Sequence, residues 1–122
     1  MIAFQDVSKI YNGGSVALEE INLKINPNEF VSLVGKSGAG KSTLIKLLIG
    51  EEKPTKGRVL FGSYEVNKLK MREMPAFRRH IGVIFQDFRL LTGKTAYENI
   101  AFALEVAGQP QSEIDELVPQ AL

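Results

Sequence analysis

The sequence predicts an α/β fold, and three observations carry that prediction. The first stretch alternates apolar and polar residues as strands do. Two short apolar runs, "FVSLV" (30–34) and "IGVIF" (81–85), have the composition of strands buried on both faces. Segments of helical periodicity follow each run, the first of them across a glycine-rich loop, "GKSGAGKST" (35–43).

The chain has 122 residues, enough for one domain with a real core and too few for two. Hydrophobic residues make up 44% and charged residues 24%, the mix of a soluble globular protein. The net charge of +1 does not call for a polyanionic partner. Without cysteine there are no disulfides and no thiolate metal sites, which suits a reducing cytosol. The opening "MIAFQDVSK" lacks the basic and apolar regions of a secretory signal. The longest apolar runs fall far short of a membrane span, so any membrane role requires another chain.

Taken in order, "IAFQDVSKIY" alternates through Ile2 and Phe4, then shifts register to Val7. "NGG" (12–14) reads as a hairpin turn, and "LEEINLKI" resumes the alternation at Ile21, Leu23 and Ile25. "NPNE" (26–29) is a second turn before the apolar run at 30–34. In "KSTLIKLLIG", Leu44, Ile45, Leu47, Leu48 and Ile49 surround most of a helix, predicted to be buried and closed by Gly50. "GRVLF" (57–61) is a strand, and "KMREMPAFRR" a basic helical connection interrupted at Pro75. The last segments are helical. Ala96, Ile100, Ala103, Leu104 and Ala107 share a face ended by Gly108, and Ser112 is the expected N-cap of a final helix that lacks a C-cap.

The glycine loop carries the chemistry. "GKSGAGKS" fits G-x-x-x-x-G-K-[ST], with Gly35, Gly40, Lys41 and Ser42 at the fixed positions. A phosphate chain needs several donors converging at short range. Glycines let the backbone curl so that the N–H groups of Lys36, Ser37, Gly38, Ala39 and Gly40 turn inward. The following helix adds its positive N-terminal end. Lys41 reaches the β- and γ-phosphates, the Ser42 hydroxyl suits Mg²⁺, and Thr43 adds an α-phosphate contact. The bland alternative is a glycine-rich turn, but the strand before and the helix after supply the context that the motif demands. The expected ligand is ATP with Mg²⁺, in a P-loop NTPase domain.

The stretches "VSKIYNGGSVALEEINLKI", "FVSLVGKSGAGKSTLIKLLIGEEKPTKGRV", "RRHIGVIFQDFRLLTGKTAYENIAFALEVAG" and "EIDELVPQAL" together resemble the ATP-binding domain of ABC (ATP-binding cassette) proteins over nearly the whole chain. Asp87 and the "FRLL" after it resemble the cell-division branch of that family. The resemblance implies an antiparallel β subdomain, a P-loop core sheet and the start of a helical subdomain. It places the P-loop at 35–42, the Q-loop at about 86–93 and the helical subdomain from about 95. Tyr11 matches the adenine-stacking aromatic, although spacing alone fits an edge-strand tyrosine equally well. Val16 is a candidate for the other wall of the base site. Gln86 matches the Q-loop glutamine, which ligates Mg²⁺ or holds the attacking water; the alternative is a plain strand-end glutamine. The loop after it presents Phe88, Leu90 and Leu91, which suit either a docking surface or a core.

The resemblance further implies an ATPase that works as a head-to-tail homodimer with an FtsX-type integral membrane protein, peripheral on the cytoplasmic face of the inner membrane. Its output there is the regulation of cell-wall hydrolases. An ATP-binding subunit of a lipoprotein or macrolide exporter is the alternative. A soluble DNA- or ribosome-acting ATPase is disfavoured by the short P-loop to Q-loop spacing, so no nucleic acid is expected. A module that binds nucleotide without any catalysis is the remaining option. "NGGS" (12–15) and "EIDEL" (113–117) only superficially match the family's signature and Walker B motifs, and His80 is not its switch histidine. Lys68, Lys70, Arg72, Arg78 and Arg79 read as a solvated connection rather than a lipid or nucleic-acid patch. Without signature, Walker B glutamate or switch histidine, the sequence reads as the N-terminal half of such a domain, expected to bind ATP but not to hydrolyse it.

Overall fold

Strand-forming alternation in the first sixty residues produces one antiparallel sheet. The computed structural model describes all residues, 1–122. It divides into two units, Met1–Ile81 and Gly82–Leu122.

In the first unit the elements are β1 (Ile2–Ile10), β2 (Val16–Ile25), α1 (Lys41–Leu48), β3 (Lys56–Phe61), β4 (Tyr64–Glu65), a 3₁₀ turn (Val66–Lys68) and α2 (Met74–Arg78). The sheet order is β2-β1-β3-β4, every pair antiparallel. The register shift in β1 is a bulge: pairing with β2 is irregular between Phe4 and Val7. Asp6 takes a left-handed φ of 49°, and the Asn22 side chain satisfies the bulge by accepting from Asp6 N (3.0 Å) and donating to Asp6 Oδ1 (2.8 Å). The bulge lets both Phe4 and Val7 reach one core, with Leu18, Leu47, Val59, Val66, Met74 and Phe77. Phe77 meets Phe61 and Tyr64 edge-on, with centroids 5.7 and 5.4 Å away.

The hairpin turn lies where the sequence put it, with Gly13 and Gly14 at positive φ. Gly50 sits left-handed just beyond α1, donating to Leu47 O at 3.2 Å. Arg78 reinforces that helix end, its guanidinium donating to Ile49 O (2.9 Å) and Gly50 O (3.1 Å). Arg78 is therefore a structural cap, and Lys68 pairs with Glu65 at 3.0 Å. Pro75 does not interrupt a helix. It stands in the first turn of α2, where its missing N–H costs nothing. Helix α1 buries Thr43 and Leu47 on one face and leaves Ile45 exposed, so it is less completely buried than its apolar content suggested.

The main departure concerns the two apolar runs. Neither 30–34 nor 81–85 belongs to a ladder, and the P-loop core sheet expected from them does not assemble within these residues. Phe30 is 97% and Ile84 98% exposed. Periodicity registers a segment's need for burial, whereas a strand also requires a neighbour to take its N–H and C=O groups. The only sheet formed here is closed by β2 and β4 at its edges, and neither run is hydrogen-bonded to it.

The second unit contains α3 (Ala96–Ala107) and α4 (Gln111–Ala121). Thr95 opens α3 with a reciprocal capping box: its side chain accepts from Glu98 N, and Glu98 accepts from Thr95 N. Hydrogen bonds from Lys94 and Thr95 hold the Glu98 carboxyl at about 2, well below its ordinary value. Gly108, at φ 82°, ends the helix as expected. The predicted face is shifted. Ala101 is the buried residue, packing with Ile114 and Val118 of α4, while Ile100 and Leu104 flank it and Ala96 and Ala103 are exposed. Ser112 is not the N-cap of α4. Pro110 is, with no side-chain bond, and Ser112 lies inside the helix. "EIDEL" is helical, with Ile114 buried.

Candidate functional site

Residues 35–42 form a curled loop that delivers the chain from 30–34 into α1. Gly38 and Gly40 take φ values of 79° and 81°, where a side chain is strained. Gly40 is the more constrained. A Cβ there would collide with the carbonyl of Ala17 and lie 2.7 Å from Leu18 Cδ2, so β2 closes against the end of the loop. The loop's own turn is held by Ala39 N donating to Lys36 O at 3.2 Å.

Lys41 begins α1 and turns back over the loop, its Nζ donating to Gly35 O and Lys36 O at 2.7 Å each. The ammonium thus lies within the curl. No acidic residue occupies the first turn of α1, so the positive end of the helix is not neutralised by its own side chains. Ser42 is exposed at the second helical position, and Thr43 is buried beneath it. These features suit the phosphates of ATP: left-handed glycines, a cation inside the loop, and a helix N-terminus with an exposed hydroxyl. Mg²⁺ fits the same donor set, because that ion takes few protein ligands beside phosphate oxygens.

Tyr11 comes to the same place. It starts the hairpin loop, its N–H donating to Ser15 O at 2.9 Å. Its hydroxyl lies 3.4 Å from Thr43 Oγ1, tying the aromatic ring to the first turn of α1. Lys9, two residues earlier, places Nζ 5.0 Å from the Tyr11 ring centroid. Val16, paired with Ile10 across the hairpin, is 56% exposed. Tyr11, Gly40, Lys41 and Thr43 are therefore assembled within the first unit. Lys9, near the end of β1, does not stand out in the sequence, because no local pattern marks its approach to the Tyr11 ring.

Gln86 belongs to the second unit. It is exposed in a turn in which Phe88 N donates to Phe85 O at 3.2 Å. Phe88 and Arg89 both take left-handed φ values, 54° and 48°, and the Arg89 guanidinium carbon lies 3.8 Å from the Phe85 ring centroid. Phe88 (75% exposed), Leu90 and Leu91 are exposed within these 122 residues. Asn99 braces the loop from α3, accepting from Leu91 N at 2.7 Å and donating to Thr95 O at 2.9 Å.

A model of the ABC transporter family matches residues 18–121, which include the whole glycine loop, α1 and the Gln86 segment. The chain belongs to that family. Among other ABC proteins, it is 50% identical over its full length to the cell division ATP-binding protein FtsE of Bacillus subtilis. Identity is 49% to FtsE of Mycobacterium tuberculosis, again over the full chain, and 47% over 97% of the chain to the methionine import ATP-binding protein MetN of Geobacillus kaustophilus. The chain spans about half the length of the FtsE relatives (54%) and 36% of MetN. In structure it resembles the dimeric ATP-binding cassette MJ0796 bound to ADP and Pi, with a TM-score of 0.88 at 34% identity. That likeness covers 98% of this chain and 55% of that one. The ABC-type α/β class read from the sequence is borne out.

Proposed function

We propose that this chain is the nucleotide-binding part of an ABC ATPase of bacterial cell division, coupling ATP to an FtsX-type integral membrane protein that regulates cell-wall hydrolases. The observation that carries the ATP reading is the Lys41 ammonium seated inside a loop of left-handed glycines at the start of α1. The cell-division reading is supported by the naming of the FtsE relatives. No helix is long and apolar enough to cross a membrane. The proposed membrane attachment is through the FtsX-type protein, at the cytoplasmic face. A transporter subunit, whether an importer or a lipoprotein or macrolide exporter, is the second reading; the likeness to MetN favours it.

In this proposal Gly35–Thr43 hold the phosphates, Tyr11 stacks the adenine and Val16 borders it. Ser42 would hold Mg²⁺, and the family resemblance assigns Gln86 the same role; the ion would supply neutralisation of charge on the β- and γ-phosphates. Gln86 also orients the attacking water. Hydrolysis is assigned to a head-to-tail dimer of the whole protein, a reading supported by the likeness to the dimeric cassette MJ0796.

Two measurements test these roles. Tyr11→Ala is expected to weaken ATP binding by roughly 1–3 kcal/mol, the range for aromatic–base stacking, and Tyr11→Phe to change it little. Unchanged affinity in both variants would make Tyr11 structural. Phe88→Glu or Leu91→Glu is expected to abolish co-purification with the FtsX-type protein while ATP affinity is kept. Retained co-purification in both variants would remove this loop from the docking surface.

A further inference from the structure

Lys9 is held more firmly than a surface lysine needs to be. Its side chain is 12% exposed, and its Nζ donates to Glu52 Oε2 and to Lys53 O, both at 2.8 Å. The same ammonium stands 5.0 Å from the centroid of the Tyr11 ring. At its far end that ring is tied through its hydroxyl to Thr43, 3.4 Å away in the first turn of α1. One face of Tyr11 is therefore taken by a fixed cation, and a ligand can stack only on the other.

We infer that Lys9 is a positioning and specificity residue of the base subsite: clamped by Glu52 and Lys53, it fixes the Tyr11 ring and polarises it toward purine bases. The inference rests on the nucleotide reading given above and deepens it. An ammonium over one face draws π density toward itself. The opposite face is left electron-poor and stacks best with an electron-rich partner, which among nucleobases is a purine rather than a pyrimidine. The Glu52 contact supplies the rigidity, since an unanchored lysine would spend most of its time in solvent.

Calorimetric titrations with the Mg²⁺ complexes of ATP, UTP and inorganic triphosphate test this on the purified protein, Lys9→Met, Lys9→Arg and Glu52→Gln. Triphosphate is the control because it engages the glycine loop without a base. Lys9→Met is expected to weaken ATP binding about three- to tenfold, in line with a partly desolvated cation–π contact, and to narrow the preference for ATP over UTP. Triphosphate affinity should stay within about twofold. Lys9→Arg should restore the ATP preference, and Glu52→Gln, which loosens the clamp without touching the ring, should shift it in the same direction as Lys9→Met but less. A purely structural ion pair would lower the melting temperature of Lys9→Met and leave the ratio of ATP to triphosphate affinity unchanged, and that result overturns the inference. Should Lys9→Met prove unfolded, an unchanged ratio in Glu52→Gln overturns it equally. Failure of the unmodified protein to bind either ATP or triphosphate would instead overturn the nucleotide reading itself.

Discussion

Lys41→Ala is expected to reduce Mg·ATP affinity by roughly a hundredfold or more. Hydrogen bonds to charged groups contribute roughly 1.5–3 kcal/mol each, and Lys41 is the only side-chain cation whose ammonium lies within the curl of the loop. The substitution also removes its two donations to Gly35 O and Lys36 O, so the loop loses its internal brace together with its charge. Lys41→Arg should fail to restore binding, because a planar fork does not reproduce a compact ammonium inside so tight a curl. Isothermal titration on folded protein checks both variants. An unchanged affinity in Lys41→Ala would mean that the loop does not hold phosphate.

Gly40→Ala should damage both the site and the fold. A methyl group at Gly40 meets two obstacles: a φ of 81°, and the backbone carbonyl of Ala17, which cannot rotate away. Left-handed strain and overpacking together are expected to cost roughly 2–5 kcal/mol. Gly38 provides the comparison. Its φ of 79° is similar, but a Cβ there would meet nothing within 4 Å. Gly38→Ala should therefore carry only the conformational strain, roughly 1–2 kcal/mol. Thermal denaturation of the two variants, with and without Mg·ATP, separates the effects. Equal destabilisation would show that the closure of β2 on the loop contributes nothing.

Which parts of the molecule were legible in the sequence follows from the range of the interactions involved. The hairpin at 12–14, the Gly50 and Gly108 helix ends and the glycine loop are local, decided by φ preferences within a few residues. The shift from Phe4 to Val7 was visible as a break in alternation, but the cause, a bulge satisfied by Asn22, needed the partner strand. Pro75 and Ser112 were misplaced because helix starts are set to within a residue or two, and one residue separates a breaker from a favourable first-turn proline. The runs at 30–34 and 81–85 were assigned from composition, while a ladder depends on a neighbour distant in sequence. In the site, the motif named the loop residues directly. The Tyr11–Thr43 contact and the Lys9 clamp join segments 32 and 43 residues apart, and no local pattern signals such contacts.

The most direct test of the central claim, that the loop at 35–42 seats the phosphates of a nucleotide whose base lies on Tyr11, is an amide-resolved NMR titration with Mg·ATP. Saturable shifts are predicted at the backbone N–H groups of Ser37–Thr43 and of the hairpin around Tyr11. Inorganic triphosphate should move the first group and spare the second. Saturable ATP binding that leaves the amides of Ser37–Thr43 unmoved would contradict the account.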